Sequence, residues 1–127
     1  MSGRLSVVIP VLNAARTLSA CLAAFSRWPG VEIVVSDGGS SDKSTEVALQ
    51  NNGRVVAGSP GRGVQLARGA SVAGGDWLLF LHADTVLDTN WTETVDRFMA
   101  DPSNALRAGY FRFALDDADP RARRALD

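Results

Sequence analysis

Hydrophobic positions along this chain alternate between two textures. Four short runs, Leu5–Ile9, Glu32–Val35, Val55–Ala57 and Trp77–Leu81, are nearly continuously apolar, partly β-branched, and bounded by polar or turn residues. Unbroken apolarity over so few residues is what strands buried on both faces of a parallel sheet show, so each run predicts such a strand. Between the runs the spacing becomes helical. Ala15, Leu18, Leu22 and Phe25 predict a first helix, capped by Asn13 and closed by Trp28-Pro29-Gly30. A second carries Val47 and Ala48, capped by Ser41 or Asp42 and stopped near Gly53. A third places Gly63, Ala67, Ala70 and Gly74 on one face, a small-residue stripe that would let its backbone approach a neighbour closely, with termination of the helix the alternative role of Gly74. Asn90 caps a fourth, with Glu93 at capping-box spacing and Trp91, Val95 and Phe98 along its apolar side.

The final stretch is more mixed. Ala105–Leu115 includes Arg107 and Arg112 and predicts an edge or antiparallel strand. Asp119-Pro120 then predicts a helix start, with Arg121, Arg123 and Arg124 on a short basic turn. Alternating strands and helices define an α/β unit of three βα repeats and a fourth strand, in a single domain over residues 1–127. A chain of 127 residues buries about two thirds of its unfolded surface, enough for a core without metal or disulfide staples.

Composition narrows the class. Thirteen Lys and Arg against fourteen Asp and Glu leave a net charge of −1, with no general attraction for nucleic acid or anionic membrane. The single cysteine, Cys21, excludes an intrachain disulfide framework and reads as a packing residue in a reducing compartment. The apolar runs are too short to span a bilayer, and the expectation is a cytoplasmic protein with no transmembrane segment.

Ligands of open α/β sheets bind beyond the carboxyl ends of the strands. Four polar clusters fall there: Pro10-Val11-Leu12-Asn13, Ser36-Asp37-Gly38-Gly39-Ser40-Ser41-Asp42, Gly58-Ser59-Pro60-Gly61-Arg62-Gly63 and His82-Ala83-Asp84-Thr85. Each alone is explained by turns and caps; four on one rim fit a composite site. Asp37, trailed by two glycines, can accept hydrogen bonds from a base or ribose, or bond its own turn. Asp42 reads as a helix cap. Arg62 can make fork-shaped contacts with phosphate, with flanking glycines that admit a diphosphate. No Gly-Lys-Ser/Thr and no Gly-x-Gly-x-x-Gly is present, which excludes the Walker loop and the dinucleotide fingerprint. Asp84 is placed to hold Mg²⁺ or Mn²⁺, ions that need one carboxylate if substrate phosphates and waters supply the rest. His82 reads as a structural hydrogen-bonding residue rather than a ligand.

The segments Ser6–Asn13, Ile33–Asp42 and Leu79–Thr85, in that order, resemble the family 2 glycosyltransferases. The spacing from Gly69 through Ala73 to Gly75-Asp76 fits as well, and Gly61-Arg62 with His-Ala-Asp-Thr is similar to a bacterial subgroup. The resemblance covers residues 5–115 and implies a Rossmann-like GT-A fold, with a nucleotide-sugar donor across the strand ends. It implies that Pro10 and Val11 line the nucleoside pocket and Asp37 contacts the base or ribose. Asn13, Gly39 and Arg62 would lie near the nucleotide, and Asp84 would be the metal-binding acid of the Asp-x-Asp position. The function implied is transfer of a sugar from a UDP- or GDP-sugar to an unknown acceptor with divalent metal assistance.

This chain departs from the family at several points. His82 replaces the first acid of Asp-x-Asp, Ala14 and Gly38 stand where acids are frequent, and Ala67 where Asn is common. No acid after Asp84, from Asp88 to Asp127, stands in the family's base motif, so no catalytic residue is assigned. The expectation is a donor-binding half over residues 1–115, with 116–127 the start of a missing acceptor-binding region. The alternative is a non-catalytic nucleotide-binding module, active with a partner or a longer chain. Uncovered apolar surface around Tyr110, Phe111 and Phe113 would favour a homo-oligomer. A response-regulator-like switch is excluded, because the first strand does not end in an acidic cluster.

Overall fold

The structure is a computed structural model and describes residues 3–26 and 28–109. Four strands and four helices alternate: β1 (Leu5–Val11), α1 (Ala15–Ala23), β2 (Glu32–Asp37), α2 (Ser44–Gln50), β3 (Arg54–Ala57), α3 (Arg62–Val72), β4 (Trp77–Phe80) and α4 (Trp91–Ala100). The strands form one parallel sheet in the order β3-β2-β1-β4. In register, Val11 lies opposite Asp37, Asp37 opposite Ala57, and Val8 opposite Phe80. The chain thus steps outward from β1 to β3, then returns across the sheet to β4. That reversal makes the carboxyl ends of β1 and β4 the topological switch point, where such sheets bind ligands.

The two faces of the sheet are covered differently. Leu5, Val7, Ile9 and Val11 alternate onto one face, where they form the main core with Leu18, Cys21, Leu22 and Ala48 of α1 and α2. α3 covers β1 and β2 on the other face. A Cβ on Gly69 would overlap Val8 Cγ1, so only glycine permits so close an approach. Phe25, Trp28 and Trp91 stack beside the core, with ring centroids 5.0 Å and 4.7 Å from Trp91. Packing is therefore the role of these element-end aromatics.

Several local expectations are corrected. β1 and β2 are buried on both faces, but β3 and β4 are not: Leu78 is 42% and Phe80 49% exposed. Both strands are sheet edges among the described residues, and α3 leaves the Leu78–Phe80 side of β4 uncovered. The close-packing face of α3 is Gln65 and Gly69, not the small-residue stripe: Gly63 and Ala67 are exposed, and Gly74 lies beyond the helix, as its alternative reading has it. Ala14, not Asn13, is the N-cap of α1, and Lys43 precedes α2 without a side-chain cap bond of its own. Asn90 does cap α4 by position, yet its side chain makes no cap bond. Residues 105–109 are not strand, and the remainder of the Ala105–Leu115 strand, the tail helix and the aromatic patch at Tyr110–Phe113 lie outside the described residues.

Candidate functional site

The β1 and β2 ends are joined by reciprocal capping. Asn13 takes a left-handed φ of 53°, which turns its side chain away from α1 and toward the next loop. There its Oδ1 accepts from Ser41 N at 2.8 Å, Ser41 Oγ at 3.3 Å and Asp42 N at 3.3 Å. In return, Ala14 N donates to Ser44 Oγ at 2.9 Å and Ala15 N to Asp42 Oδ2 at 3.0 Å. The start of α1, lacking a cap of its own, is thus satisfied by the loop it braces. Asp42 Oδ1 also accepts from Ser44 N and Ser44 Oγ, the latter bond chiefly holding its carboxyl below the ordinary carboxylate range. Asp42 is a capping residue, as expected, but it serves two helices.

Asp37 is 4% exposed at the end of β2. Its Oδ2 accepts from Gly39 N and Ser40 N, both at 3.0 Å, and its Oδ1 from Ser40 Oγ. The turn needs Gly39 at a φ of 104° to aim those N–H groups at the carboxylate. Ser40 Oγ also accepts from Asn13 N at 2.9 Å, so Asp37 belongs to the same network. Of the two readings open in the sequence, the turn is realised. An ionised carboxylate has about four acceptor positions, so one remains on Oδ1.

The β4 end is built differently. Leu81 N donates to Val8 O at 3.1 Å, continuing the pairing with β1, and Thr85 N closes a turn onto His82 O at 3.0 Å. Asp84 and His82 are exposed, and among the described residues neither side chain has a hydrogen-bond or ion-pair partner, which corrects the expectation of a hydrogen-bonding structural role for the His82 side chain. Beneath the turn, buried Cys21 donates its thiol to His82 O at 3.5 Å. Burial, and then the negative charge of Asp84, push the thiol up to about 12, which leaves it a protonated packing group. No group of three or more His, Cys, Asp or Glu gathers among the described residues. A single free carboxylate still fits a hard divalent ion whose other ligands are waters and substrate phosphates.

The β3–α3 turn completes the rim. Arg62 opens α3, exposed and without a side-chain partner among the described residues. Pro10 is half-buried, Val11 is buried, and Asn13 and Gly39 are exposed along the same rim. Two residues were missed in the sequence. Arg68 reaches back along α3 over Gly58, donating from Nη2 to Ser59 O at 3.2 Å, while its buried Nη1 has no partner among the described residues. Gln65 is 4% exposed and bonds three segments at once. Its position three residues after Arg62 and four before Gly69, one helical face, was the available signal.

An all-parallel sheet with a polar rim at its switch point is the layout of a ligand-binding α/β fold, and the match to solved glycosyltransferases makes this one of the GT-A kind. The chain belongs to glycosyl transferase family 2, whose profile matches residues 6–125. A PGL/p-HBAD biosynthesis glycosyltransferase of Mycobacterium bovis is 40% identical over 91 residues, 65% of this chain and 36% of that protein. Glucosyl-3-phosphoglycerate synthase from Mycobacterium tuberculosis in complex with UDP is 26% identical at a TM-score of 0.68, over 78% of this chain and 41% of that one. The same synthase in complex with Mn²⁺, UDP and glucosyl-3-phosphoglycerate is 25% identical at a TM-score of 0.66, over 78% of this chain and 40% of that one. This chain therefore spans little more than a third of the curated relative's length. Among its described residues, no helix is long and apolar enough to cross a membrane.

Proposed function

We propose that this chain is the donor-binding part of a glycosyltransferase that takes a sugar from a UDP- or GDP-sugar to an acceptor. The observation that carries this reading is the rim itself. A pre-formed carboxylate turn at Asp37 and the exposed carboxylate of Asp84 flank the end of β1 at the switch point. UDP in the complex of the related synthase supports the nucleotide. Pro10 and Val11 line the nucleoside pocket, and the remaining acceptor position of Asp37 takes a donor from base or ribose. Asn13 and Gly39 hold that turn in place. Arg62 and the start of α3 face the diphosphate, where a guanidinium and free backbone N–H groups favour negative charge.

Asp84 is the carboxylate for Mg²⁺ or Mn²⁺, a role supported by its exposure, its lack of a hydrogen-bond or ion-pair partner among the described residues and the Mn²⁺ of the related complex. A bound ion of this class neutralises charge on the departing diphosphate, the main electrostatic demand of glycosyl transfer. The donor-binding half extends over residues 1–115, with acceptor binding outside it, and the site of action is the cytoplasm. Calorimetric titration with UDP, GDP and UMP in the presence of Mn²⁺ tests the reading. Binding of a nucleoside diphosphate more tightly than UMP is the expected result. No binding of any of the three contradicts it. Release of sugar from a bound donor then separates transfer from nucleotide binding alone.

A further inference from the structure

Three backbone segments of the rim converge on one buried amide. Gln65 Nε2 donates to Val11 O at 2.9 Å and to Ser36 O at 2.8 Å, and Oε1 accepts from Gly61 N at 3.0 Å. Val11 ends β1 and Ser36 lies at the end of β2, so the amide spans the place where the two central strands part. An amide suits that task because its nitrogen carries two donors for two carbonyls while its oxygen accepts from a third chain segment. The neighbouring backbone leaves room for it: a Cβ on Gly38 would lie 2.7 Å from Oε1 and 2.9 Å from Cδ. The missing side chain at 38 and the amide at 65 are thus one packing unit.

The turn it holds has few other anchors. Residues 57–64 are all exposed. Gly58 N donates to Asp37 O at 3.1 Å and Arg68 reaches Ser59 O, but Gly61, beside Arg62, is tied to the strand ends through Gln65. We infer that Gln65 is a positioning residue, which locks the Gly61-Arg62 turn to the ends of β1 and β2 so that nucleoside and diphosphate meet one rigid frame. This inference rests on the nucleotide-binding reading above. It assigns Gln65 no contact with the ligand.

The test is the affinity for UDP relative to uridine, measured calorimetrically with Mn²⁺ on the full chain. Gln65→Met keeps the volume and removes all three bonds, and should weaken UDP about tenfold while uridine loses less, so the ratio falls. Gly38→Ala presses on the amide from the other side and should lower the same ratio even if Gln65→Met does not fold. Glu32→Gln, at the opposite end of the sheet, should lower the unfolding midpoint and leave both affinities alone. If the parent binds UDP and both rim variants keep its UDP-to-uridine ratio, Gln65 is structural only and the inference is overturned. If the parent binds no UDP, the functional reading fails and takes the inference with it.

Discussion

The strands on either side of β1 each lead to an aspartate on the same rim, and the two are handled in opposite ways. Asp37 is buried at 4% exposure and closed into its own turn by Gly39, Ser40 and the Ser40 hydroxyl. Asp84 is exposed and makes no hydrogen bond or ion pair among the described residues. The cause lies in the turn at each strand end. After Asp37, Gly38-Gly39-Ser40 swings backbone N–H groups inward; at the β4 end, Thr85 N bonds the carbonyl of His82 and leaves the Asp84 side chain outside the turn. A polar residue at a strand end is therefore not a ligand group by position alone. One of these carboxylates shapes its own turn, and the other is the one proposed above to hold a divalent ion.

That contrast can be broken by mutation. Asp37→Ala removes three hydrogen bonds from a buried group and should cost about 2 kcal/mol, seen as a lower urea midpoint. Asp84→Asn should change stability by less than about 0.5 kcal/mol, because no hydrogen bond or ion pair among the described residues is lost. Equal destabilisation by the two would show that Asp84, too, is a structural carboxylate. An effect smaller than that at Asp37 belongs to the far end of the sheet, where Glu32 Oε1 accepts from Gly74 N at 2.8 Å and from Ser6 Oγ at 2.7 Å. The Gly74 N–H first, then the Ser6 hydroxyl, hold the Glu32 carboxyl below its ordinary 4.5. Its contribution to stability is present above that value and fades as the pH falls through the lower folded one. Urea midpoints between about pH 3 and 6 should fall less steeply for Glu32→Gln than for the parent.

The sequence carried the frame of the sheet well. The four apolar runs begin within a residue of the observed strands, because burial of β1 and β2 on both faces demands continuous apolarity. It overstated β4, since Leu78 and Phe80 read as core yet flank an edge, and edge status is a property of topology rather than of the run. Capping misled where it was not local. Asn13 has the composition of an N-cap, but its partners are Ser41 and Asp42 on another loop, a pairing that exists only after β1 and β2 align. Gln65 escaped notice for the same reason: its three partners lie on three segments, at Val11, Ser36 and Gly61.

The central claim is that Asp84 couples nucleotide binding to a divalent ion while the Asp37 turn stays intact. Titrating UDP into the parent chain and into Asp84→Asn, each with Mn²⁺ and with chelator, measures that coupling directly. The account predicts that Mn²⁺ tightens UDP binding to the parent by about tenfold or more, while Asp84→Asn binds with the chelator-level affinity in both conditions. The same Mn²⁺ enhancement in Asp84→Asn as in the parent would contradict it.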